Sequence, residues 1–494
     1  MVNRKTGDNK RPAMARKSNI GSVVVQTQPL VEEICPAPEP VDVFRRLSRF
    51  SHCLFLDSAA SGTELGRYSF VTADPFEWLR ASDCHNDGLS ILGQKLARRR
   101  LQTLPGLPPF QGGAAGLFSF DLGRSWERIP VPLHDEFQIP AMCVGFYDVV
   151  VAWDHHTEQA WIISSGLPEM DKQHRQRRAA SRLSKIRNVL QTGSNHQQAD
   201  GPPISGSGLL SPQELSTQFP APRDKRVTSN FSREGYLAVV RRAIEYIGAG
   251  DIFQVNLAQR LLHPARADSL DLYLRLRQCN PAPFASYFDV GSFQIISASP
   301  ERFLCLEGGR VEARPIKGTR PRNPLAEADL FSGDELRQSE KDRAENVMIV
   351  DLLRNDLSRV CLPASVCVTQ LCEIERFAYV QHLVSAIEGE LSPEKEPVDL
   401  VRAAFPGGSI TGAPKVRAMQ IISELEPNTR GAYCGSLGYI GFDGTLDLNI
   451  LIRTITAGRG WWQMPVGGGI VAQSDPEREY EETWHKAEGM LRAL

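Results

Sequence analysis

Ser232-Arg233-Glu234-Gly235-Tyr236-Leu237-Ala238-Val239-Val240-Arg241-Arg242-Ala243-Ile244-Glu245-Tyr246-Ile247-Gly248-Ala249-Gly250 runs directly into Asp251-Ile252-Phe253-Gln254-Val255-Asn256-Leu257-Ala258-Gln259-Arg260. The first part reads as a helix. Ser232-Arg233-Glu234 opens it, and Tyr236, Val239, Val240, Ala243, Ile244 and Ile247 recur at helical spacing. Gly248 and Gly250 close it, and Ile252 to Arg260 then reads as a strand. Further strand-like runs follow at Phe284 to Phe288 and Phe293 to Ser297. Helices and strands alternate from there to the C-terminus without a second linker, so 230–494 reads as one large α+β region.

The rest of the chain is organised around that region. Residues 36–190 form an N-terminal region with strand-like apolar runs, such as Met142 to Asp148, Val149 to Trp153 and Ala160 to Ile163. Residues 191–229 are rich in Gly, Ser, Pro, Gln and Asn, the composition of a flexible linker. Residues 1–35 read as a disordered basic tail, with an organelle transit peptide as the other reading of its charge.

Composition excludes several classes. The 494 residues carry a formal net charge of −2, with 23% charged residues, so no strong field points to nucleic acid or a membrane surface. No apolar run approaches the roughly 18–20 residues that span a bilayer. The ten cysteines show no C-x-x-C pairing and read as buried thiols in a reducing cytoplasm.

Several side chains stand out chemically. In Arg314-Pro315-Ile316-Lys317-Gly318-Thr319-Arg320-Pro321-Arg322 a lysine lies between a proline and a glycine, in what reads as a loop. A free lysine has a pKa of about 10.4 and is a nucleophile only where its surroundings lower that value; otherwise it is an ion-pairing group. Leu336 to Val360 reads as a helix with Asp342 and Glu345 one turn apart, and Pro476 to Leu494 as another with Glu479 and Glu482 so placed, Lys486 following. Each pair reads either as a solvated acidic face or as half of a site for a hard divalent cation, and spacing alone does not bring the helices together. Gly467-Gly468-Gly469 reads as a turn or an anion-binding nest. Arg453 reads as a carboxylate clamp or an internal partner, and His382 as an acid, a base or a core histidine.

Taken in order, these segments resemble the chorismate-utilising enzymes, the family of anthranilate synthase and aminodeoxychorismate synthase components I and the isochorismate and salicylate synthases. The blocks that carry the resemblance are Gly250 to Leu257, Ser299-Pro300-Glu301-Arg302-Phe303, Lys341-Asp342-Arg343-Ala344-Glu345-Asn346, Phe405-Pro406-Gly407-Gly408-Ser409-Ile410-Thr411-Gly412-Ala413-Pro414-Lys415 and Gly467 to Ala472. Thinner matches lie in Leu56-Asp57-Ser58-Ala59, Gly66 to Phe70 and Pro109 to Gly113.

The resemblance implies an anthranilate synthase component I-like fold, with large antiparallel β-sheets packed face to face and helices outside. It implies Mg²⁺ on Glu345 and Glu482, with Asp342 and Glu479 acting partly through water. Glu301 would be the general acid at ring carbon 4 of chorismate, and Lys317 the nucleophile at carbon 2. Tyr433 and Arg453 would bind the enolpyruvyl carboxylate; Gly467, Gly468 and Gly469 would line the ring-carboxylate site beside Lys486. Ser409, His382 and Gln254 match further pocket positions. Gln254 stands where water-using members carry a basic lysine, which sets this chain apart from them. Lys317 stands where anthranilate synthases typically carry alanine, which places the chain with the aminodeoxychorismate synthases of 4-aminobenzoate and folate synthesis. Anthranilate synthesis and a non-catalytic chorismate-binding subunit are the other readings. The chain shows no Cys-centred glutaminase signature, so ammonia is expected from a separate glutamine amidotransferase. Leu56, Asp57 and Ser58 match the element that holds tryptophan in the family.

Overall fold

The computed structural model describes residues 28–60, 64–82, 87–191, 208–322, 326–376 and 380–494. The opening helix runs Arg233–Gly248. The Ser232 hydroxyl accepts a hydrogen bond from Gly235 N at its start, and Gly250 turns the chain beyond its end at a φ of +84°. The strand after it is Gln254–Pro264. It lies antiparallel to Trp461–Ile470, from Val255 opposite Ile470 to Pro264 opposite Trp461.

That ladder belongs to the larger of two sheets, which hold 13 and 10 strands among the described residues. Strands from both halves of the sequence share each sheet. Leu54–Asp57 lies between Tyr68–Thr72 and Phe284–Asp289 in the larger one. Gly113–Phe118 pairs with Ser436–Gly441 in the smaller. The sheets pack face to face through an aromatic seam. Phe70 stands edge-on to Phe110 at 5.7 Å and to Tyr439 at 5.8 Å, while Phe110 stacks on Tyr439 at 4.4 Å. Helices cover the outside: Glu340–Ser358 packs on Val380–Glu390, and Pro476–Ala493 on Trp461–Ile470. This is the α+β architecture expected from the sequence.

Local details differ from expectation. Part of the stretch read as a tail is ordered: Leu30–Glu33 forms a strand on Gln159–Ser164, because Leu30-Val31 completes an otherwise open sheet edge; residues 1–27 lie outside the described residues. In the linker, 192–207 lie outside them too. The rest of the stretch read as a flexible linker is partly ordered: Phe219–Pro220 and Thr228–Ser229, both within 191–229, extend the larger sheet next to Gln254–Pro264 because they pair with its edge. The helix expected over Leu336 to Val360 is two helices, Ala326–Gln338 and Glu340–Ser358, because the Ser339 hydroxyl accepts from Asp342 N and caps the second. The lysine loop is a strand, Ile316–Pro321, paired with Val380–Glu390. Among the described residues no helix is long and apolar enough to cross a membrane.

Phe110 is fully buried in the seam. Phe110→Ala is expected to lower stability by about 3–5 kcal/mol, read as a fall in the urea midpoint at unchanged slope. An unchanged midpoint would show that the sheets do not depend on this contact.

Candidate active site

A cavity of about 490 Å³ opens between the Gln254–Pro264/Trp461–Ile470 ladder, the lysine strand and the two acidic helices. The lysine strand aims Lys317 into it. Its pairing slips between Lys317 and Thr319, with Gly318 at a φ of +63°. A side chain on Gly318 would also meet Leu336 at 2.5 Å, so the bulge has room only for glycine. Lys317 Nζ donates to Glu345 Oε1 at 2.8 Å and to the Ser409 carbonyl at 3.1 Å.

Glu301 stands on the other side of the same serine. The Ser409 hydroxyl donates to Glu301 Oε1 at 2.9 Å. Burial pushes the Glu301 carboxyl up to about 7, against the opposing pull of Lys317 and the Ser409 hydrogen bond. A carboxyl with that value holds a proton part of the time at neutral pH, as a general acid must. Ser409 therefore joins the acid to the lysine through its two oxygens, and its hydroxyl is spent on Glu301.

The two acidic helices do meet. Lys341 of one donates to Glu479 of the other at 3.2 Å. Glu345 and Glu482 both face the cavity. Burial would raise their pKa values, but Lys317 and Gln254 hold Glu345 below the usual carboxylate range, and Lys486, 2.6 Å from Glu482, does the same there. Both are therefore ionised. Gly469 permits this approach: a Cβ there would collide with Gln254 Nε2 and lie 2.8 Å from Glu345 Oε1. Asp342 lines the mouth, 3.8 Å from Arg320. Glu479 stands back from the cavity, bonded to Ser474 at 2.7 Å. Among the described residues no three Asp, Glu, His or Cys side chains form a ready metal cluster.

Arg453 lines the cavity in the left-handed region at a φ of +52°, a conformation that costs a non-glycine residue energy and recurs where a side chain must be aimed. Tyr433, Ser409, Gly467, Gly469 and Lys486 line it too. His382 faces it opposite Thr319; burial and Arg453 push its imidazole down to about 4, so it is neutral. Two expected residues lie behind the wall rather than on it. Gln254 bonds Glu345 from the rear at 2.5 Å, and Gly468 is directed toward Glu479 and Glu482. The sequence reading missed Asn256, Lys341, Arg320 and His485, which also line the cavity. Asn256 was detectable in principle, since a strand puts residues 254 and 256 on one face.

Leu56, Asp57 and Ser58 lie elsewhere, on a second, narrow cavity of about 70 Å³ walled by Tyr68, Phe70 and Tyr439. There the Asp57 carboxylate receives Tyr273 Oη at 2.7 Å and Arg277 Nε at 2.6 Å.

The family model of the chorismate binding enzymes matches residues 51–492. The chain belongs to that family. It is 40% identical to aminodeoxychorismate synthase component 1 of Escherichia coli (strain K12), over 91% of this chain and 95% of that one. It is 37% identical to anthranilate synthase component 1 of Thermus thermophilus, over 92% and 95%. The structure of anthranilate synthase component I from Streptococcus pneumoniae TIGR4 superimposes with a TM-score of 0.71 at 31% identity, covering 86% of this chain and 92% of that one. The chain is thus a chorismate-utilising enzyme of the anthranilate and aminodeoxychorismate synthase component I group.

The raised pKa of Glu301 has a stability consequence. Its folded value, about 7, exceeds that of an exposed glutamate, so the neutral form is favoured in the fold. That contribution is fully present below about pH 4.3 and is lost as pH rises through 7. Glu301→Gln is expected to be near neutral at pH 4.5 and to stabilise by roughly 1–3 kcal/mol above pH 7.5, read as a melting-temperature difference that grows with pH. A difference independent of pH would refute the raised pKa.

Proposed function

We propose that this enzyme is an aminodeoxychorismate synthase component I, which replaces the ring hydroxyl of chorismate by an amino group without releasing pyruvate. The observation that carries this reading is Lys317 Nζ inside the cavity, 2.8 Å from Glu345 and linked through Ser409 to the acid Glu301. Arg453 and Tyr433 bind the enolpyruvyl carboxylate. Lys486 and the backbone at Gly467 and Gly469 bind the ring carboxylate. The Lys317 amine attacks carbon 2 with its lone pair; the ring double bonds shift, and the carbon 4 hydroxyl leaves as water with the Glu301 proton. Ammonia then attacks carbon 4, and the double bond shifts back to expel the Lys317 amine. The sum is ammonia in and water out.

The residues present also fit a magnesium ion. Two ionised carboxylates from different helices face one cavity, and Mg²⁺ commonly takes one or two carboxylates and fills its remaining positions with water and substrate oxygens. Glu345 and Glu482 would hold it, with Asp342 and Glu479 behind them. Bound there it would neutralise the substrate carboxylate and draw electron density from the ring.

A separate glutamine amidotransferase supplies the ammonia. The nine described cysteines are all free thiols, in keeping with a reducing cytoplasm. Tryptophan belongs to the same reading, in the aromatic-walled cavity at Leu56, Asp57 and Ser58.

Two experiments test this. The first incubates the purified chain with chorismate and ammonium, with and without Mg²⁺, beside Lys317→Ala. Wild type is expected to form 4-amino-4-deoxychorismate without pyruvate, only with Mg²⁺, and Lys317→Ala to lose at least about 100-fold of that rate. Glutamine is expected to replace ammonium only when a glutaminase subunit is added. Release of anthranilate and pyruvate by wild type would move the enzyme to tryptophan synthesis. The second is calorimetry of ligand-stripped protein with tryptophan, where binding heat is expected; none at millimolar concentration would remove tryptophan from the account.

A further inference from the structure

We propose that Lys317 and a magnesium ion exclude each other on Glu345: the ammonium holds the carboxylate when no metal is bound, and binding of the metal releases Lys317 to the substrate. This rests on the assignment of magnesium to Glu345 in the reading above. It adds a second role for the lysine, as the competitor of the ion.

Every carboxylate proposed for the metal already has a cation beside it. Glu345 Oε1 accepts from Lys317 Nζ at 2.8 Å, and from Gln254 Nε2 at 2.5 Å. Glu482 is paired with Lys486 at 2.6 Å, and Glu479 with Lys341 at 3.2 Å. Asp342 lies 3.8 Å from Arg320. Side chains of this protein thus supply the countercharge that a dication would bring. Among the described residues no three acidic, histidine or cysteine side chains converge on one point, so the carboxylates stand with their lysines and not around a common centre.

The Lys317 pair is the one that matters most. Both of its side chains are only 12% exposed, against 30% and 45% for Lys486 and Glu482. An ion pair shielded from water is held more firmly than one at the surface. Each carboxylate oxygen offers about two acceptor positions, and Gln254 and Lys317 fill those of Glu345 Oε1. A metal ion on that oxygen needs the place of one of them. On the other oxygen it would stand a few ångström from an ammonium, where two cations repel strongly with so little water between them. Gln254 is neutral and does not oppose the ion; Lys317 does. Released from Glu345, Lys317 still has the Ser409 carbonyl at 3.1 Å, and Ser409 also bonds Glu301. The lysine therefore stays in the cavity beside the acid. One exchange on Glu345 seats the ion and frees the amine.

The test is a calorimetric titration of Mg²⁺ into the purified chain without chorismate. It compares wild type, Lys317→Met, Lys317→Gln, Lys317→Arg and Glu345→Gln, with circular dichroism as the check on folding. Methionine removes the charge and keeps most of the side-chain length. Glutamine also removes the charge but still offers Glu345 a donor, and serves should methionine not fold. Arginine keeps the charge. Mg²⁺ is expected to bind the methionine and glutamine variants at least about ten-fold more tightly than wild type, and Glu345→Gln at least about ten-fold more weakly. Affinity for the arginine variant is expected to stay near that of wild type. At one fixed Mg²⁺ concentration the melting temperature of the two uncharged variants rises more than that of wild type. Wild-type affinity in both uncharged variants, with binding still lost in Glu345→Gln, overturns the proposal and leaves magnesium on Glu345. Equal tightening by arginine overturns it too, since charge would not be the cause. Binding that Glu345→Gln leaves unchanged, or no binding by any of these proteins, brings down the magnesium assignment itself and the exchange with it.

Discussion

The site depends on how closely a strand and two helices approach one another. Trp461–Ile470 carries Gly467 and Gly469 where it faces Gln254–Pro264 and the Glu345 carboxylate. A methyl group at Gly469 would occupy the space of the Gln254 amide, and one at Gly467 would strike the Leu257 carbonyl. Without side chains there, the acidic ends of the helices Glu340–Ser358 and Pro476–Ala493 come down on the sheet, and their carboxylates face a common cavity. Two neighbouring anions would repel. Lys317 bonds Glu345, Lys486 bonds Glu482, and Lys341 ties the two helices together through Glu479 behind them.

In the proposed reaction two of the same lysines, Lys317 and Lys486, also meet the substrate. A buried carboxylate paired with an ammonium is stable while the pair is intact and is costly when either partner is removed. The apposition of Lys317 and Glu345 is thus a structural bond and, in the proposed reaction, a nucleophile beside a metal ligand. Ser409 adds geometry. Its carbonyl receives the lysine and its hydroxyl bonds Glu301, so Glu301 and Lys317 are fixed to one residue of a turn that Arg430 in turn holds through Ile410. Burial then separates the two carboxylates by role: Glu301, with a neutral serine as its nearest partner, is pushed toward neutrality, while Glu345, paired to a lysine, stays charged.

Much of this was legible in the sequence and some was not. Helical spacing and Ser232 revealed the helix at Arg233–Gly248, and a strand-like run after the closing glycines revealed the strand that follows. The acidic pairs at 342/345 and 479/482 were visible as i, i+3 spacings, but whether the helices met was invisible, since spacing is a property of one helix. The lysine segment looked like a loop because Pro315 and Gly318 flank it. Its pairing with Val380–Glu390 is a long-range contact, and the bulge turns the proline–glycine context into a strand feature. Asn256 escaped notice because strand alternation puts 254 and 256 on one face without saying that the face borders the cavity.

The sequence by itself determined the α+β class, through periodicity, and the family, through residue types in fixed order; Glu301, Lys317 and the paired carboxylates it supplied as candidates, through the family resemblance. Tertiary structure alone decided that the two acidic helices converge, that Glu301 and Lys317 share Ser409, that Gln254 stands behind Glu345, and that Leu56, Asp57 and Ser58 belong to a different cavity. The physical reason is burial. Whether a carboxyl is neutral or charged depends on what surrounds it in three dimensions, and that neighbourhood is assembled from residues hundreds of positions apart.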